Sequence, residues 1–151
     1  MSPQVPTAIP FAFSAVPVAL TALLIAAFGL RVVLRRFNGA TAAFFTLTLA
    51  VSVWLAAFTG LYLSSDAERA LYWARTAYLG VPFIAPAIYW FTAELLRIER
   101  RRRLIIIASW TYAAVISTLA VTTDFLVTHV QLYWWGFYPR YSPTTSIPFL
   151  L

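Results

Sequence analysis

The chain has 151 residues, 62% hydrophobic and 11% charged, with a formal charge of +6 and no cysteine, and its mean hydropathy is +0.79. Soluble domains carry roughly 45–50% apolar and 25% charged residues, so this composition excludes an ordinary water-soluble globule; the missing cysteines exclude disulfides, thiolate nucleophiles and cysteine-ligated metals. The basic residues, all arginine, sit between apolar runs rather than on one polar face, which makes them topology signals and argues against a nucleic-acid partner.

The first 30 residues carry no charge, so the basic start of a cleavable signal peptide is missing. A first span is expected over 9–30, with Pro17 inside it and Arg31, Arg35 and Arg36 after it. Because arginines collect in short cytoplasmic loops, this places the N-terminus outside. The turn-like Asn38 and Gly39 introduce a second uncharged run, 40–63, closed by Ser64, Ser65 and Asp66. Small residues recur every four positions at Ser52, Ala56 and Gly60 on this span, and at Ala15, Ala19, Ala22 and Ala26 on the first. Such stripes are candidate faces for close helix packing in lipid.

The third span, 76–96, opens with 18 uncharged residues from Thr76 to Ala93, close to the roughly 20 needed to cross the hydrocarbon layer. Pro82 and Pro86 lie one turn apart within it and predict a kink, since each removes a backbone donor and crowds the preceding turn. Glu94 and Arg97 share a helical face and are expected to pair. Arg97, Arg100, Arg101, Arg102 and Arg103 then form a cationic stop. A fourth span, 104–124, ends at Asp124, where a helix C-terminus disfavours an anion, so a cation from Arg69, Arg75 or Arg140 is expected beside it. Alternation of sides puts eight of the eleven arginines (Arg31, Arg35, Arg36, Arg97 and Arg100 to Arg103) inside.

An outer loop over 128–146 follows, rich in aromatic residues and punctuated by Gly136 and Pro139. It reads either as a headgroup-level aromatic belt, shared with Tyr72, Trp73 and Tyr78, or as a shaped cap on a ligand pocket. The candidate stimulus residues at this end are Asp124, His129, Trp134, Trp135, Tyr138 and Arg140; as a histidine, His129 is either a pH-responsive group or an incidental interfacial one. Residues 147–151 turn apolar again, as the start of a fifth span. The fold class expected is therefore all-α, an integral membrane helical bundle of four complete transmembrane helices plus the start of a fifth, in one membrane-embedded domain over 1–151.

Catalytic motifs are missing from the sequence. Five scattered glycines make neither a phosphate-cradling loop nor a dinucleotide fingerprint, and a single histidine cannot supply a paired-histidine metal motif. No cofactor, metal or enzymatic activity is expected.

Two stretches carry a family resemblance. The run Trp73-Ala-Arg-Thr-Ala-Tyr-Leu-Gly80, followed by Pro82, Pro86 and the aromatic Tyr89-Trp90-Phe91, and the loop Trp135-Gly-Phe-Tyr-Pro-Arg-Tyr-Ser-Pro143, resemble the N-terminal seven-helix membrane region of bacterial sensor histidine kinases. Related regions precede diguanylate cyclases. The resemblance implies an N-outside input domain in the bacterial inner membrane, followed by cytoplasmic signalling domains and often a PAS module. It covers the first four spans and the outer loop; the sequence to Leu151 contains neither the family's remaining spans nor a phosphoacceptor helix or ATP-binding loop, so kinase activity is not carried over to this chain. Expected partners are the lipid bilayer, those downstream signalling domains and a second copy in a homodimer. The two functions left open are a truncated membrane sensory module and a small multispan structural or transport-associated subunit.

Overall fold

A computed structural model describes residues 9–123, 127–133 and 136–141. Five α-helices, α1 (Ile9–Arg35), α2 (Gly39–Tyr62), α3 (Ala67–Thr76), α4 (Val81–Leu95) and α5 (Glu99–Thr122), precede an antiparallel hairpin of β1 (Val127–Tyr133) and β2 (Gly136–Tyr141). Three of the helices, α1, α2 and α5, are long and apolar enough to cross a membrane.

The helix boundaries follow from capping chemistry. At α2, the Asn38 side chain accepts from the Thr41 amide at 2.9 Å while the Thr41 hydroxyl accepts from the Asn38 amide at 2.9 Å, a reciprocal capping box that satisfies two otherwise orphan donors. At α3, Asp66 accepts from the Arg69 amide at 2.8 Å. The end of α4 is a Schellman motif: the Ile98 amide donates to Ala93 O at 2.9 Å, and the Arg97 amide to Glu94 O at 3.1 Å. Arg97 takes the left-handed position, φ 57°, that glycine usually fills.

The third apolar stretch is not one continuous helix. A single 3-10 turn, Ala77–Leu79, and Gly80 interrupt it, and Pro82 sits in the first turn of α4. The sequence places a bend at Pro82 and Pro86; the ladder is broken just ahead of Pro82, whose ring crowds the carbonyl four residues earlier, at Tyr78. Despite the break, α3, the turn and α4 run antiparallel along all of α2. A Cβ on Gly60 would strike the Trp73 indole, one on Gly80 the backbone of Ala50 and Trp54, and one on Gly39 the Glu94 carboxylate.

The interior is built from small residues. Ala15, Ala22 and Gly29 on α1 are buried at intervals of seven, as are Ala43, Ala50 and Ala57 on α2. Ala70 and Ala74 of α3, Ala87 and Ala93 of α4, and Ala113 and Ala120 of α5 are also buried. On α1 the inner face is the alanine stripe expected from sequence. On α2 the stripe is offset: Ser52 is buried, but Ala56 is exposed and Ala57 takes the inner position. The exterior is the reverse, with Leu23, Leu24, Leu34 and Leu104 each more than half exposed. Large apolar side chains outside and alanines inside are the arrangement expected where the surrounding solvent is lipid and helices associate by close approach.

Candidate functional site at the hairpin end of the bundle

Antiparallel packing gathers eight of the chain's arginines at one end and the hairpin at the other. The C-terminus of α1, the N-terminus of α2, the C-terminus of α4 and the N-terminus of α5 share one end, tied by the Gly39 to Glu94 approach and by the aromatic contacts Phe28 to Phe44 (5.8 Å) and Phe44 to Phe91 (5.7 Å). Arg31, Arg35, Arg36, Arg97 and Arg100 to Arg103 are all exposed there. Glu94 does not pair with Arg97. It accepts from the Trp90 indole Nε1 at 3.1 Å, and the left-handed turn at Arg97 takes that side chain off the helical face on which the pairing was expected.

At the other end the hairpin lies against α2, α3 and α5. Val127 of β1 is fully buried with Leu61, Ala70, Ala74, Tyr78 and Ala120, and Val130 and Phe137 pack on the same cluster. Across the hairpin Val130 faces Pro139, Gln131 faces Tyr138, and Tyr133 faces Gly136; an irregularity between Val127 and His129 shifts the register. A two-stranded sheet has only edges, which is where a strand proline such as Pro139 is tolerated. The hairpin stands where a loop is expected from sequence; its signal is the alternation of Val130 and Leu132 with His129 and Gln131, next to the β-branched Val127 and Thr128.

Between the hairpin and the helices is a pocket of about 190 Å³, lined by Trp54 and Phe58 of α2, by Ala74, Ala77, Tyr78 and Val81, and by Tyr138 and Pro139 of β2. Trp54 and Phe58 meet edge to face at 5.6 Å, Phe58 and Tyr62 at 6.1 Å, and Tyr133 and Tyr138 at 6.4 Å. Tyr78, which one of the two sequence readings places in a headgroup belt, is buried in this wall, whereas Tyr72 is exposed.

Of the candidate stimulus residues, Tyr138 lines the pocket. His129 is exposed on β1 with Arg140 opposite it in the register. Asp124, Trp134 and Trp135 lie outside the described residues, as does the start of a fifth span. Arg69, one of the cations expected for Asp124, pairs with Asp66 at 3.4 Å. Trp54 and Phe58 carry no site signal in the sequence, because on one helix they look like ordinary lipid-facing aromatics until the hairpin folds over them. Among the described residues no group of three or more histidines and carboxylates is placed to hold a metal ion. Pro82 and Pro86 line a second hollow, between α4 and α5.

Comparison with known families decides what this arrangement belongs to. Residues 14–150 match the family described as the N-terminal 7TM region of histidine kinase. The chain belongs to that family. No curated protein and no solved structure matches it. Membership in a histidine-kinase 7TM family accords with the three apolar helices and identifies the molecule as a membrane protein.

Proposed function

We propose that the chain is the membrane-embedded sensory input region of a bacterial histidine kinase, and that its stimulus acts at the pocket beneath the hairpin. The observation that carries this is the aromatic pocket of about 190 Å³ at the end of the bundle opposite eight exposed arginines. With those arginines cytoplasmic, the N-terminus and the hairpin lie outside in the inner membrane. On this reading α1, α2 and α5 each cross the bilayer, and α3, the 3-10 turn and α4 together make a fourth, broken crossing. At about 190 Å³ the pocket is below the roughly 300–1,000 Å³ of drug-sized sites, so it suits a small molecule or the inserted apolar group of a larger one.

Occupancy would act through the broken crossing. Ala74, Ala77, Tyr78 and Val81 line the pocket and flank the interruption, so a ligand pressing on them would bias the angle at Gly80 and, through α4, the arginine end. Catalysis is no part of this region's role.

Two measurements test the proposal. A reporter fused after Arg103 is expected in the cytoplasm and one after Leu63 outside; the opposite result would overturn the orientation. In the kinase carrying this region, Trp54→Ala or Tyr138→Ala is expected to weaken the stimulus response by roughly tenfold, the loss of one well-packed aromatic contact. Wild-type responses from both variants would remove the pocket from the mechanism.

A further inference from the structure

A second hollow, of about 460 Å³, lies between α4 and α5, with Pro82, Pro86 and Tyr89 on one wall and Ile105, Ser109, Tyr112 and Ile116 on the other. It is apolar: the Ser109 hydroxyl is already spent on Ile106 O at 2.8 Å, and Pro82 and Pro86 have no amide hydrogen to offer. The groove follows the axis of α5. From Ile105 to Ile116 it extends roughly 16 Å at 1.5 Å per residue, close to half of the ~30 Å hydrocarbon core and so to the depth of one leaflet.

Its lower end points at charge. The stripe of Ile105, Ser109, Tyr112 and Ile116 continues at helical spacing to Arg101 and Arg102, one turn nearer the start of α5. Both arginines are exposed and form no ion pair with a described carboxylate. Arg100 and Arg103 flank them; the acidic residue of that first turn is Glu99, and Ile98 at the N-cap provides no side-chain acceptor for the helix's first amides.

We propose that this groove binds an anionic phospholipid, its acyl chain against Pro82, Pro86 and Tyr112 and its phosphate at Arg101 and Arg102. Length and charge select the occupant together: the trough is one leaflet deep, and its cationic stripe begins where a headgroup would lie. The inference rests on the proposed membrane orientation only for which leaflet supplies the lipid. Because α4 forms one wall and bears the broken segment at its head, the lipid would hold α4 and α5 together where the outer pocket works to move them.

The test uses the intact chain in nanodiscs carrying a trace of photoreactive-acyl phosphatidylglycerol or phosphatidylcholine, with crosslinks mapped to peptides. Phosphatidylglycerol is expected to label α4 and α5 around the groove roughly tenfold more than phosphatidylcholine, given two arginines near the headgroup. The double variant Arg101→Gln, Arg102→Gln is expected to abolish that preference, Arg101→Lys, Arg102→Lys to keep it, and Ala85→Trp, which fills the groove, to remove the labelling there. Equal labelling by both lipids, or labelling indifferent to all of these variants, would overturn the site. Labelling of the Arg103→Cys variant by an impermeant reagent reads the orientation separately: an outward arginine end with the lipid preference intact would sink the orientation and leave the lipid site standing.

Discussion

Gly80 and Arg97 are the two backbone positions on which the course of the third apolar stretch depends. At Gly80 an added Cβ would press on the backbone of α2, with Trp54 N only 2.8 Å away, and backbone cannot step aside. Gly80→Ala is therefore expected to destabilise the fold by about 1–3 kcal/mol. Gly39→Ala is expected to cost less, since the atoms in its way belong to the flexible Glu94 side chain. Equilibrium unfolding in detergent micelles separates the two, and equal losses would contradict the distinction. Arg97 gives the opposite sign. Its left-handed backbone carries a strain of order 1 kcal/mol that glycine lacks, so Arg97→Gly is expected to leave stability unchanged or raise it by up to about 1 kcal/mol.

At the scale of elements, the caps fix where each helix begins. Asn38→Ala removes the acceptor of a capping box and is expected to cost about 1 kcal/mol. Asp66 caps α3, and its carboxyl titrates below its ordinary value of 3.8, chiefly because the Arg69 amide donates to the ionised form, helped by the Ser65 hydroxyl and the Arg69 charge. Since folding lowers this pKa, the cap's contribution is whole above 3.8 and fades as pH falls through the lowered value. Amide exchange at Arg69 and Ala70 should quicken under acid in the native chain, relative to its ordinary pH trend, and follow that trend in Asp66→Asn, which still caps but does not titrate. The elements also show how much was legible beforehand. Hydropathy marks where a chain meets hydrocarbon, not where a helix starts, so α5 begins at Glu99, with the arginine run forming its first turns. For the same reason the charged stretch after Asp66 falls between the expected second and third spans, although Ala70 and Ala74 form a buried face at helical spacing on α3. The hairpin was hidden for another reason: its two strands bury a face only against helices distant in sequence.

For the whole molecule, the small interior and large apolar exterior make the lipid-facing surface the sensitive one. Leu24, 61% exposed midway along α1, is expected to tolerate alanine, whereas Leu24→Arg is expected to raise the apparent cost of membrane insertion by about 3–4 kcal/mol. A translocon-insertion assay on α1 reads this directly, and insertion unchanged by the arginine would contradict it. The clustering of eight arginines at one end was legible because positive charge is written in the linear sequence. The pocket at the other end was not, because Trp54, Tyr78 and Tyr138 come together only through the α2 to α3 hairpin and the strand pair.

The alanine interior also determines how freely the helices can slide. Interlocked leucines resist axial motion, because each side chain must climb out of one hole to reach the next. Here the buried positions of α1, α2 and α4 include Ala22, Gly29, Ala43, Ala50, Ala57 and Ala87, which are nearly toothless; the larger knobs are Thr48 over Gly29 and the Phe28, Phe44 and Phe91 rings at the arginine end. A shift of ~1–2 Å along the axis, the scale of many signalling displacements, then meets low friction and leaves little packing undone. The bundle is shaped as a smooth bearing, and its resting position is set at its ends, by caps, hairpin and headgroups, rather than by its core.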